Sequence, residues 1–122
     1  MLTVCRSFNF CYGHFLPNYP GKCKNQHGHN SILEVEVDGC EGDFGKGYEG
    51  MILDFSILKK IVETKVIEEF DHQNINSIME CPTAENMVMW VVSQLEQTPL
   101  EGHLLRVRIY ETPNSYAEWR KE

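Results

Sequence analysis

Apolar and polar residues alternate in three stretches of this chain, and a period of two marks a half-buried strand. In residues 2–10, Leu2, Val4, Phe8 and Phe10 share one face while Thr3, Ser7 and Asn9 share the other. In residues 29–38, Leu33, Val35 and Val37 alternate with Glu34, Glu36 and Asp38. Leu105, Val107 and Ile109 predict a third strand over 103–111, and 115–120 adds a short fourth.

Between these stretches the period changes to that of a helix. Ile57, Leu58, Ile61, Val62, Val66 and Phe70 form one apolar stripe, with Asp54 or Ser56 placed to cap its start. A second helix begins after Pro82 with Thr83 as its cap; Ala84, Met87, Val88, Val91, Val92 and Leu95 follow, and Thr98-Pro99 ends it. Segments 11–28 and 39–50 carry the glycines and prolines of loops. The order strand, strand, helix, helix, strand, strand predicts an α+β domain with an antiparallel sheet. Residues 1–122 form a single domain, without repeats or a linker.

The formal charge of −7 argues against a nucleic-acid partner, because phosphate backbones are bound by basic fields. No apolar run approaches the roughly 20 residues that span a bilayer, and the first residues do not read as a signal peptide. Cys5, Cys11, Cys23, Cys40 and Cys81 make an odd set with no C-x-x-C pair, which suits a reducing cytoplasm better than a disulfide framework.

The chemistry gathers early in the chain. His27 and His29 flank Gly28, and strand residues two apart project to the same side, so both imidazoles can grip one ion. With His14 they make three neutral nitrogen ligands and an open fourth position, the donor set of a catalytic zinc site. Cys23 lies four residues before His27 and between Lys22 and Lys24. It reads as a base or nucleophile, as a fourth metal ligand, or as an inert thiol. Asp71-His72 follows the first helix and reads as an oriented acid–base pair or as a polar helix end. Glu111 closes the third strand's apolar face, so it faces either a pocket or solvent. Glu85 in the first turn of the second helix suits the helix dipole and is also a candidate pocket residue.

Six segments carry a resemblance over about a hundred residues. They are Phe10-Cys-Tyr-Gly-His14-Phe-Leu16, Cys23-Lys-Asn-Gln-His27-Gly-His29-Asn30, Gly50-Met-Ile-Leu-Asp54-Phe55, Asp71-His72-Gln-Asn-Ile-Asn76, Pro82-Thr-Ala-Glu-Asn86 and Glu111-Thr112. In order and spacing the chain resembles the 6-pyruvoyltetrahydropterin synthase family. The resemblance implies the tunnelling fold, or T-fold: a four-stranded antiparallel sheet with two helices packed on one face. It also implies a homohexamer, a dimer of trimers, with active sites between subunits. His14, His27 and His29 would hold Zn2+. Cys23 would be the proton-abstracting base, activated by His72, which Asp71 orients. Glu111 would anchor a pterin ring, and Thr83 and Glu85 would help line its pocket. The short Cys-x-x-x-His-Gly-His spacing is similar to that of the queuosine-pathway members, which implies a lyase converting 7,8-dihydroneopterin triphosphate to 6-carboxytetrahydropterin, acetaldehyde and triphosphate. Triphosphate elimination that keeps the side-chain carbons is the alternative within the family. The chain departs from the family pattern at Cys11-Tyr12-Gly13, which replaces the small residues usual before the first histidine, and at Phe70, where leucine is usual.

Overall fold

Strands β1 (Thr3–His14) and β2 (His27–Asp38) pair antiparallel along their whole length, from Thr3 opposite Asp38 to His14 opposite His27. The computed structural model describes all 122 residues. The first two strands are therefore longer at the loop end than alternation predicts. Gly13 and Gly28, read as loop markers, lie directly opposite each other inside the ladder. Backbone hydrogen bonds hold a strand pair together, so the absence of two side chains does not end it.

Strand β4 (Leu104–Thr112) joins the free edge of β2, and β5 (Ser115–Arg120) joins β4, both antiparallel. A two-residue strand, β3 (Gln73–Asn74), lies parallel to β1 and extends the four expected strands to the order β3-β1-β2-β4-β5. The register slips between Glu36 and Val37, so Val37 faces Leu104 while Val35 faces Val107. Leu104 is consequently buried and Leu105 only half-buried, which corrects the alternation read from 105, 107 and 109. One extra residue in a strand reverses the facing of everything beyond it. Leu2 lies outside β1 and is exposed.

Helix α1 (Phe55–Val62) starts at Asp54, whose carboxylate accepts hydrogen bonds from the Ser56 amide and hydroxyl. It runs through a π-helical turn, Glu63–Ile67, into α2 (Glu68–Phe70) as one rod. The reason lies in the spacing of the fully buried residues Leu58, Val62, Val66 and Phe70, which recur strictly every fourth position. In a helix of 3.6 residues per turn such a row drifts by about 120° over its twelve residues; a wider turn takes up part of that drift. Helix α3 (Ala84–Leu95) is capped by Thr83, whose hydroxyl accepts from the Asn86 amide, and it buries the six positions its spacing predicted.

Both helical rods pack on the same face of the sheet, where Phe8, Phe10 and Tyr12 of β1, Leu33, Val35 and Val37 of β2, and Val107 and Ile109 of β4 complete the core. Phe70 is enclosed between Phe10 at 5.7 Å and Trp90 at 4.7 Å, centroid to centroid, so an aromatic residue fills that position. The opposite face carries charge. Arg106 bonds Glu36 at 2.7 Å and Glu34 at 2.9 Å, and Arg108 bonds Glu118 at 2.6 Å. No helix is long and apolar enough to cross a membrane.

Candidate metal centre and the adjoining cleft

The side chains of the core face turn from apolar to polar at one end of the sheet. Along β1, Phe8, Phe10 and Tyr12 are followed at the same pleat parity by His14; along β2, Leu33 and Ser31 are preceded by His29 and His27; along β4, Ile109 is followed by Glu111. One ligand atom from each of His14, His27, His29 and Glu111 lies within 4.8 Å of all the others. The three imidazoles are therefore neighbours because of strand register: His14 faces His27 directly, and His29 is two residues further along the same face.

Backbone carbonyls fix how two of these rings are presented. His14 Nδ1 lies 2.7 Å from the Pro82 carbonyl, and His27 Nδ1 lies 2.8 Å from the Asn25 carbonyl. A carbonyl only accepts, so each Nδ1 carries the proton and each Nε2 presents a lone pair. The Nε2 atoms of His14, His27 and His29 are all buried without a hydrogen-bond partner. Burial lowers the pKa of His14 and His29, which keeps these rings neutral, the state in which imidazole binds metal. Three buried, unpartnered imidazole nitrogens beside a carboxylate are the donor set that suits a divalent ion such as Zn2+.

Glu111 Oε1 lies 2.9 Å from His29 Nε2 and 3.4 Å from His14 Nε2, yet neither nitrogen has a hydrogen-bond partner. We read this contact as the meeting of the imidazole cluster with the neighbouring cleft rather than as an ion pair, because no hydrogen bond joins either nitrogen to the carboxylate. Glu111 also lines a cleft of about 440 Å³ with Glu85, Val88, Met89, Tyr116 and Trp119. The cleft thus carries three carboxylates, Glu85, Glu111 and the arginine-paired Glu118, and apolar walls beside the imidazoles. Thr83 is absent from its lining; its hydroxyl is committed to the cap of α3.

The remaining candidates lie outside this cluster. Cys23 sits half-buried in a single 3-10 turn, Lys22–Lys24, and its thiol is not among the converging ligand atoms. Asp71 and His72 lie beside the outer edge of β1, where the Cys11 amide donates to Asp71 Oδ1 at 2.9 Å and the His72 amide donates to the Cys11 carbonyl at 2.6 Å. Asp71 Oδ2 is 3.1 Å from His72 Nδ1, and the Cys11 amide foremost holds the carboxyl below its usual range. No hydrogen bond or ion pair within the chain joins Cys23 to this pair. His72 adopts a left-handed backbone, φ 59°. His103 stands apart, its Nδ1 3.1 Å from the Asp38 carbonyl and its ring against Phe44.

Two supports escaped sequence reading. Asn76 clamps the residue after His14, accepting from the Phe15 amide at 2.9 Å and donating to its carbonyl at 3.0 Å. Asn86 donates to the Cys81 carbonyl at 2.8 Å and so holds the turn whose next carbonyl, that of Pro82, orients His14. Both asparagines end quoted segments, but only the structure gives their partners.

Comparison with known proteins bears on this arrangement. A family model described as 6-pyruvoyl tetrahydropterin synthase matches residues 3–122. A 6-carboxy-5,6,7,8-tetrahydropterin synthase of Synechocystis sp. is 32% identical over 121 residues, 98% of this chain and 93% of that protein. A dihydroneopterin monophosphate aldolase of Pyrococcus furiosus is 41% identical over 86 residues, 70% of this chain and 69% of that protein. The solved structure of 6-pyruvoyl tetrahydropterin synthase from Caenorhabditis elegans superposes with a TM-score of 0.83 at 26% identity, covering 99% of this chain and 96% of that one.

Proposed function

Because the chain belongs to the 6-pyruvoyl tetrahydropterin synthase family, we propose that it is a metal-dependent 6-carboxytetrahydropterin synthase. In this reading it converts 7,8-dihydroneopterin triphosphate and one water to 6-carboxytetrahydropterin, acetaldehyde and triphosphate, a step towards 7-deazaguanine nucleosides such as queuosine. The observation that carries the reading is the junction of three unpartnered imidazole nitrogens with a cleft bearing Glu111 and Glu85. Relatives that carry this name, such as the Synechocystis protein, align over nearly the whole chain.

His14, His27 and His29 would hold the ion, with Zn2+ the best match to the donor set. When bound, such an ion supplies Lewis-acid chemistry, drawing electron density from the substrate's side chain so that an adjacent C–H proton becomes removable. Glu111 is the residue for the guanidine-like edge of the pterin, to which a carboxylate offers two parallel hydrogen bonds. Glu85 faces the same cleft from α3 and extends that recognition. Cys23 would take the proton as thiolate, with His72 as its partner and Asp71 holding the imidazole. Within one chain Cys23 and the Asp71–His72 pair do not meet, which fits a homo-oligomer in which the pair comes from a neighbouring subunit. In this reading the enzyme works in the cytoplasm, whose reducing conditions suit five free cysteines.

A second reading is favoured by the Pyrococcus relative, whose name specifies a monophosphate substrate. Arg106, Arg108 and Arg120 are each engaged by carboxylates on the open sheet face, which leaves them neutralised as partners for a triphosphate. The deciding experiment incubates Zn2+-loaded protein separately with 7,8-dihydroneopterin triphosphate and monophosphate and identifies products by mass. 6-Carboxytetrahydropterin from the triphosphate, lost in Cys23→Ala, is the expected result. A 6-pyruvoyl product, or turnover of the monophosphate alone, overturns it in favour of the corresponding relative's activity.

A further inference from the structure

His14 is the most deeply buried of the three imidazoles, and its presentation depends on another element of the fold. The carbonyl that faces His27 belongs to Asn25, two residues before it. The carbonyl that faces His14 Nδ1, at 2.7 Å, belongs to Pro82 in the turn that leads into α3. Whatever fixes that turn therefore fixes where the His14 Nε2 lone pair points.

The turn is held at one carbonyl, that of Cys81. It accepts from the Thr83 amide at 2.9 Å, which closes a three-residue turn around Pro82, and from Asn86 Nδ2 at 2.8 Å. The proline ring restricts φ to the range that such a turn uses. Asn86 is the third residue of α3, a place for which asparagine is a weak helix former. Behind a threonine cap this position is favoured by Glu or Gln, whose side chain accepts from the capping residue's own amide. Here that amide, Thr83 N–H, is already bonded to Cys81. The turn calls instead for a second donor to the Cys81 carbonyl, which a carboxylate cannot supply and an amide can.

We infer that Asn86 is a positioning residue for the metal centre: by donating to the Cys81 carbonyl it aims the Pro82 carbonyl at His14 Nδ1 and holds the Nε2 lone pair toward the shared ligand point. This rests on the metal reading of His14, His27 and His29, and on no particular reaction. Partners that orient a ligating imidazole from behind set the affinity of the site as well as its geometry. Because the same first turn of α3 brings Glu85 to the cleft, Asn86 also ties the cleft to the imidazole cluster.

The test compares the wild type, Asn86→Leu and Thr83→Ala. Leucine is close to asparagine in size, forms helix more readily and has no donor. Thr83→Ala is the control, because it removes the cap of α3 and leaves the bond from Asn86 to Cys81 in place. Zn2+ affinity, measured by competition with a chromophoric chelator, should fall about 10-fold in Asn86→Leu while the metal-free variant melts close to the wild type. Thr83→Ala should show the reverse, a lower melting temperature and a smaller loss of affinity. In the metal-free proteins, the Nδ1–H proton of His14, followed by NMR, should exchange with solvent faster in Asn86→Leu than in the wild type. Unchanged affinity in Asn86→Leu overturns the inference, as does a loss that only tracks melting temperature across both variants. A wild type that takes up no divalent metal removes the metal reading instead. The exchange comparison then still decides whether Asn86 holds His14: faster exchange in Asn86→Leu upholds it and equal exchange overturns it.

Discussion

Replacing Asn76 by alanine removes both hydrogen bonds that hold the chain where it leaves β1, 2.9 Å from the Phe15 amide and 3.0 Å to its carbonyl. The side chain stands where a paired strand would stand, satisfying a donor and an acceptor that the sheet no longer reaches. Each bond contributes about 1 kcal/mol net, and a buried group left unpaired costs about 1–3 kcal/mol. Phe15 and Asn76 are both half-buried, so water can reach part of what is lost, and the low end applies. The expected destabilisation is therefore about 2 kcal/mol, or roughly 6–10 °C in melting temperature for a chain of this size. The assay is urea denaturation of metal-free protein at one fixed protein concentration, followed by far-UV circular dichroism. Asn74→Ala is the control: it removes one exposed bond to the Asn76 amide at 3.2 Å and should cost less than about 0.5 kcal/mol. Because Phe15 follows His14 directly, Asn76→Ala should also weaken Zn2+ binding. A variant within about 0.5 kcal/mol of wild type would refute the argument that this amide substitutes for a missing strand.

Acid should destabilise the metal-free protein before its carboxylates titrate. Burial lowers the pKa of His14 and His29 below the ordinary 6.5, so the unfolded chain binds protons that the folded one refuses, and stability falls as pH drops below 6.5. Denaturation midpoints at pH 8, 6.5 and 5.5 should decrease in that order, with the steeper fall below 6.5; a flat profile would contradict the burial of neutral imidazoles. Thr83→Ala removes the cap of α3 and should cost about 1 kcal/mol by thermal melting. Its pterin affinity, measured by fluorescence titration, should stay near that of wild type, since Thr83 does not line the cleft.

Much of the fold was legible because helix and strand periods are local. The stripe of α3 and the alternation in β2 read correctly from neighbours a few residues apart. The misreadings arose where local rules met pairing. Gly13 and Gly28 signal loops in isolation, but two strands in register hold both. Leu105 keeps the parity of Val107 in sequence and loses Leu104 to the core because of the register slip. The π turn could be inferred only from the strict fourfold spacing of buried residues in the first helix, once burial was known.

The site divides in the same way. By itself the sequence determined the chemical inventory: three histidines, a carboxylate at a strand end, a cysteine between lysines and an Asp-His pair, all in the order of one family. It also determined that His27 and His29 share a face, because two residues apart in a strand is a matter of pleat alone. Only the tertiary structure decided that His14 and Glu111 meet them, that the Pro82 and Asn25 carbonyls turn Nε2 toward a common point, and that Tyr12 is enclosed beside it without a partner. The physical reason is that these contacts depend on strand register and on backbone carbonyls, one from far along the chain, at Pro82, and one from the adjoining turn, at Asn25. Every residue carries the same carbonyl, so the sequence holds no local sign of which one will face an imidazole.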